Sequence, residues 1–376
     1  MNPISFLRGV PADDALQPLV QVVEKGYSDA LKKYGGGVLQ YRTNGLTDFN
    51  GFIPLKETLA KRYGVDGDPS EKVICFNGGM EALSFLFKSY PRGSKVATEA
   101  LTYDRALIDA ARYDHEVVGI PFGPEGIDLT ALDKALGSGD VEFFYRVIYH
   151  QNPTGYDSSP ANIDIAAEIC AKHNVLYVCD VAYYELRYDG VKNRLIDISK
   201  HPDTTCLLGS FTKTFSPGTK CGFGIFPPSV VDKLTDIVAN TRLNPNYPTQ
   251  AMIHSVMESG EYDKYLDFLT TLYFPRMDAL NDALDTSLPA VVKPRLTGGF
   301  FCGIWLPGIK DEQAFIDAAD AKGINLASSK VFVPEWKAHY FKKYGGHFYR
   351  LTFPAIRAEA IEEGIGRLGE VYSQLM

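Results

Sequence analysis

The stretch from Lys72 to Phe226 limits the possible folds more than any other part of the chain. Short apolar runs alternate there with amphipathic segments. Lys72–Phe76, Val141–Tyr149, Val175–Cys179, Thr205–Gly209 and Gly222–Phe226 read as strands. Between them, Gly78–Tyr90 puts Met80, Leu83 and Phe87 on one helical face, and Ile163–His173 repeats that pattern. Strand–helix–strand alternation predicts a largely parallel sheet covered by helices. In such a sheet, ligands lie beyond the carboxyl ends of the strands.

Past Asn244 the texture changes. Tyr262–Asn281 has a long helical pattern, with a kink expected near Pro275. Pro294–Leu306 and Phe348–Phe353 are strand-like, and Glu359–Gln374 reads as a closing amphipathic helix. At 376 residues the chain exceeds what one core usually holds. The expected division is a large domain over 41–275 and a smaller α+β domain over 276–376, joined by residues 1–40.

Composition narrows the class. Thirty-eight basic against 46 acidic residues give a net charge of −8, the wrong sign for a protein held by nucleic-acid phosphates. No apolar run approaches the roughly 18 residues of a membrane helix. The first residues show no basic segment followed by an apolar one, so no secretory signal is expected. Cys75, Cys170, Cys179, Cys206, Cys221 and Cys302 form no C-x-x-C pair and read as buried hydrophobes or free thiols, with no metal site. A reducing, cytoplasmic enzyme is the expectation.

Several polar residues fall just after strands. Asp180 follows VLYVC, and Tyr183 comes three residues later. By themselves these read first as a helix-capping or turn aspartate and a packing tyrosine, and only second as functional groups. Asn152 lies in N-P-T-G, a turn by default. Lys213 follows the strand CLLG within Ser210–Phe211–Thr212–Lys213. It is either a solvated charge or, between two hydroxyls and near Gly218, Gly222 and Gly224, an imine-forming amine. Gly78–Gly79–Met80 opens a helix after VICFN, which offers free N–H groups to a phosphate or merely softens the helix start.

In this order and combination, these residues resemble the fold-type I, pyridoxal-phosphate-dependent aminotransferases of class I/II. The branch they resemble contains aminoadipate, kynurenine and aromatic aminotransferases. The resemblance runs through ISFLRGVP, LQY at 39–41, NGGMEAL, EALTY, QNPTG, DVAYYELRYDG, SFTKTFSPGTKCGFG, GGFF and FYRLTF. It implies a large domain with a mostly parallel seven-stranded sheet between helices, a smaller α+β domain, and pyridoxal 5′-phosphate as cofactor. Lys213 is then the Schiff-base and proton-transfer residue, and Asp180 the partner of the pyridine nitrogen. Asn152 and Tyr183 bond the phenolic oxygen, and Tyr103 stacks on the ring. Gly79, Met80, Ser210, Thr212 and Lys220 hold the phosphate. Tyr41 reaches the phosphate of a neighbouring subunit, which implies a homodimer with shared sites, residues 1–40 adding dimer contacts. Arg350 forks the substrate carboxylate, with Gly9 and Asn152 completing that pocket. The substrates are an amino acid and a 2-oxo acid, with neither nucleic acid nor membrane as partner.

The pattern has departures. Lys220 stands where the family has arginine, giving charge without a bidentate fork. Lys220 as the Schiff-base lysine is rejected because Ser210, Thr212 and the P-G turn all index on Lys213. Leu101, Ala182 and Gly79 replace a proline, a proline and a hydroxyl residue, and Arg42–Asn50 is longer than the usual link. A carbon–sulfur lyase on the same scaffold shares every residue above and is the rival. A ligand-binding regulator is disfavoured by the acidic charge and by the lack of any segment before Asn2–Pro11. GIGRLG at 364–369 matches a dinucleotide fingerprint but lies in the closing helix with no strand before it, so it reads as chance. Aromatic, aminoadipate-like and branched aliphatic donors all remain open.

Overall fold

The computed structural model describes residues 3–328, 331–332 and 346–376. Its centre is a seven-stranded sheet. In chain order the strands are β1 (Val73–Phe76), β2 (Lys95–Glu99), β3 (Glu116–Ile120), β4 (Val141–Val147), β5 (Leu176–Asp180), β6 (Thr205–Ser210) and β7 (Gly222–Ile225). Their spatial order is β1-β7-β6-β5-β4-β2-β3. Only β7 runs antiparallel to its neighbours. The strand VICF is buried at all four positions, as expected where helices cover both faces of a sheet.

The five strands expected from the sequence lie within two residues of their predicted limits. β2 and β3 were not expected. KVATE and EVVGI carry charges at their ends, and only parallel pairing along their lengths makes them strands. Helices Pro228–Arg242 and Tyr247–Glu258 were likewise not anticipated. Helix Leu19–Tyr34 packs on Tyr247–Glu258.

The long helix spans Glu261–Ser287 and runs through Pro275 without a break. Beyond it, Phe301–Pro307 pairs antiparallel with Gly346–Thr352, and Ala327–Ser328 pairs on the other side. The strand expected over Pro294–Leu306 therefore starts late. Gly299, at φ +70° and pressed on His150, turns the chain away from extended geometry. Ile4–Ser5 pairs parallel with Ile324–Asn325, bringing the first residues beside the last third of the chain. The closing helix is Ala358–Leu375 and contains the GIGRLG match, so those glycines form no phosphate loop.

The long Arg42–Asn50 link folds into a small hairpin, Thr47–Asp48 against Gly51–Phe52. It is tied to β1 by the Cys75 N–H donating to Asn50 O at 2.7 Å. All six cysteines are buried and free, and burial pushes Cys75, Cys179 and Cys302 up to about 12. Among the described residues, no helix is long and apolar enough to cross a membrane, and no cluster of acidic, histidine or cysteine side chains suits a metal.

Candidate active site

The carboxyl ends of β4, β5 and β6 lie side by side, with Asp180 in register with Val147 on one side and Leu208 on the other. A cleft of about 240 Å³ opens beyond them. It brings together Gly79, Met80, Tyr103, Asn152, Asp180, Tyr183, Ser210, Thr212, Lys213 and Lys220 from six separate segments.

Lys213 sits on a four-residue helix, Phe211–Thr214, that starts where β6 ends. Its Nζ donates to Gly9 O at 2.8 Å and lies 5.7 Å from the centre of the Phe300 ring. Burial, with Arg350 and Lys220 adding repulsion, lowers its pKa to about 8. The amine is therefore far nearer to its neutral, nucleophilic form at physiological pH than an ordinary lysine.

Asp180 ends β5. Its Oδ2 accepts from the Tyr145 hydroxyl at 2.7 Å and its Oδ1 from the Ala182 N–H at 2.9 Å. Burial raises its pKa despite both bonds, and no cation pairs with it among the described residues. A buried carboxylate lacking a cation is the environment that a protonated ring nitrogen would complete.

At the other end of the cleft, helix Gly79–Lys88 starts without a side-chain cap, so its first N–H groups have no protein side chain as acceptor. The Ser210 and Thr212 hydroxyls lie 2.8 Å apart beside it. Gly222 is required next to this turn, because a Cβ there would stand 2.7 Å from Gly79 N. Uncapped N–H groups, two hydroxyls and Lys220 form a cradle suited to a phosphate. Lys220 adopts left-handed backbone geometry at φ +47°.

Two predicted residues lie at the rim. Arg350 donates from Nη1 to Asn152 Oδ1 at 3.1 Å and from Nη2 to Leu7 O at 2.9 Å. Its guanidinium lies between the Phe301 and Phe332 rings, at 4.6 and 4.5 Å, and its Nε is buried without a partner among the described residues. An arriving carboxylate would supply the missing acceptor. Gly9 joins through its carbonyl bond to Lys213. Tyr41, by contrast, is 77% exposed and does not line this chain's cleft.

The residues missed by sequence reasoning are those that support these groups. Tyr145 lies one strand away from Asp180, and nothing in its own segment signals that contact. Phe300 and Phe301 belong to GGFF, a motif without a residue-level role in the sequence. Gln151 holds the N-P-T-G loop, its Nε2 donating to Glu99 Oε2 at 3.0 Å and to Leu101 O at 2.7 Å. Burial pushes Glu99 up to about 7.

A parallel sheet with a lysine, a buried carboxylate and a phosphate cradle beyond its strand ends defines a pyridoxal-phosphate enzyme of fold type I. Residues 10–368 match the family model "Aminotransferase class I and II", and the chain belongs to that family. It is 29% identical to aromatic-amino-acid aminotransferase 1 of Thermococcus litoralis, covering 99% of this chain and 88% of that one. It is 28% identical to the 2-aminoadipate transaminase of Thermus thermophilus, covering 99% and 91%. Its backbone is similar to that of Pyrococcus horikoshii kynurenine aminotransferase, solved with pyridoxamine phosphate, at a TM-score of 0.88 and 26% identity over 100% and 91% of the chains. The protein is a pyridoxal-phosphate-dependent aminotransferase acting on amino and 2-oxo acids. The rival reading as a carbon–sulfur lyase is not favoured by these relatives.

Proposed function

We propose that the cleft beyond β4–β6 transfers the amino group of an aromatic L-amino acid to a 2-oxo acid, with Lys213 as the covalent anchor of the cofactor and the proton carrier. The observation that carries this reading is Lys213 itself. It is a largely buried amine with a depressed pKa, facing a cleft that also holds a part-buried carboxylate with no cation partner among the described residues. Bound pyridoxal phosphate supplies an electron sink for the bonds at the donor's Cα. Asp180 keeps the ring nitrogen protonated, Tyr103 covers a ring face, and Asn152 and Tyr183 hold the phenolic oxygen. Gly79, Met80, Ser210, Thr212 and Lys220 grip the phosphate. Lys213 Nζ is the amine that would accept the proton from the donor's Cα.

Arg350 binds the α-carboxylate together with Asn152, and Gly9 borders this pocket. The aromatic choice is supported by the Phe300, Phe301 and Phe332 rings around Lys213 and Arg350, and by the similarity to an aromatic-amino-acid and a kynurenine aminotransferase, against one 2-aminoadipate transaminase. Tyr41 serves a second copy of the chain in a homodimer, a reading supported by its exposure away from its own cleft. The large domain is 41–275 and the small one 276–376 with the N-terminal segment, and the enzyme works in the cytoplasm.

A donor panel tests this. Phenylalanine, tyrosine, kynurenine, 2-aminoadipate, leucine and cystathionine are scored by conversion of bound pyridoxal to pyridoxamine phosphate. Aromatic donors are expected to convert fastest and to need an oxo acid for turnover. Pyruvate and ammonia released from cystathionine without an acceptor would instead establish the lyase.

A further inference from the structure

A helix of four residues cannot hold itself in place, so the position of Lys213 depends on what grips Phe211–Thr214 from behind. Phe211, Thr214 and Phe215 are buried, on the side of the turn away from the cleft. Tyr262, in the first turn of the long helix, packs edge-on to Phe211 at 5.6 Å and lies 6.4 Å from Phe215. Its hydroxyl is 2.8 Å from Thr214 Oγ1 and 2.7 Å from Glu185 Oε2. A phenol has one proton and a carboxylate only accepts, so Tyr262 donates to Glu185 and takes the threonine's proton as acceptor. Glu185 Oε1 in turn accepts from Arg62 Nε at 2.7 Å.

This chain of bonds joins two turns that both face the cofactor cleft. Glu185 stands two residues after Tyr183, and Thr214 directly after Lys213. Sheet pairing ends at Asp180 and Leu208, with one further bond from the Val181 N–H to Leu208 O. Beyond that point, no direct hydrogen bond joins 182–186 to 211–216 among the described residues. Phe300 fills the space between, 5.8 Å from the Tyr183 ring.

We propose that Tyr262 is a positioning residue for amino transfer: by joining Thr214 to Glu185 it sets Lys213 against Tyr183. Arg62 anchors the outer end of the chain, at the edge of a separate cavity of about 610 Å³. The inference rests on the reading of Lys213 as the cofactor's anchor.

The test removes single hydroxyls of the chain. Apoenzyme is mixed with pyridoxal 5′-phosphate, and capture is followed as the borohydride-stable lysine adduct. The absorbance of the bound cofactor is then titrated against pH. Tyr262→Phe and Thr214→Val are expected to slow capture about tenfold, as for a reactive group displaced by a change outside the site. With Tyr183 out of register, the absorbance midpoint should rise by about one unit. Thr214→Ser, which keeps the hydroxyl, should restore both. Tyr372→Phe is the control, since it deletes a part-buried tyrosine bond, to Pro307 O, in the closing helix. If Tyr262→Phe and Thr214→Val merely lower Tm, with capture and midpoint unchanged, the chain is packing and the proposal falls. Should Tyr262→Phe not fold, the Thr214 pair decides alone. Undiminished capture by Lys213→Ala would instead overturn the anchor assignment, whatever the other variants do.

Discussion

Lys213 should cost the apoprotein stability, and replacing it should recover that cost. Burial holds its pKa at about 8 against an ordinary 10.5. That difference corresponds to about 3 kcal/mol of penalty at neutral pH, at about 1.4 kcal/mol per unit. Lys213→Met removes the cation and keeps most of the volume, but leaves Gly9 O without its donor, a loss of about 1 kcal/mol. The variant apoprotein is therefore expected to be more stable than wild type by about 2 kcal/mol at pH 7. The sign with pH follows from proton uptake. Between about 8 and 10.5 the unfolded state still binds the proton that folded Lys213 has released, so wild-type stability climbs through that window. Lys213→Met lacks this dependence, and the gap between the two should close as pH rises. Urea denaturation of both apoproteins from pH 7 to 10.5, at one protomer concentration, measures it. A variant less stable than wild type at pH 7, or a gap that stays constant across the window, would refute the reasoning.

Two further expectations bear on the site. Lys213→Ala should lose turnover and the borohydride-fixed cofactor while Lys220→Ala keeps a fixed adduct with a weaker grip on phosphate; the opposite pattern would move the anchor to Lys220. Arg350→Ala should raise KM for α-carboxylate donors roughly 10- to 100-fold, the worth of a charge-assisted fork, and an unchanged KM for every donor would remove Arg350 from the site.

Much of the cleft was legible because its residues sit at fixed offsets from strand ends. Asp180 closes VLYVC and Lys213 follows CLLGS, so once those runs are strands, their polar successors must emerge on one edge of the sheet. The same local logic failed for β2 and β3, whose short runs carry charge at their ends. It also failed at Pro294–Phe300, where a glycine pair turns an apolar stretch away from strand geometry.

Residue chemistry is local, and the sequence by itself determined it: a lysine between hydroxyls, a strand-end carboxylate, a glycine-led helix start and the family they belong to. Only the tertiary structure decided who touches whom. Arg350 meets Asn152 across 198 positions, Tyr145 reaches Asp180 from the next strand, and Lys213 leans on the carbonyl of Gly9, 204 positions away. Tyr262 shows the difference most plainly, since nothing in its helix sets it apart from Tyr265. Its place between Thr214 and Glu185 comes from packing, because burial leaves each polar group only the partners that the fold brings within about 3 Å.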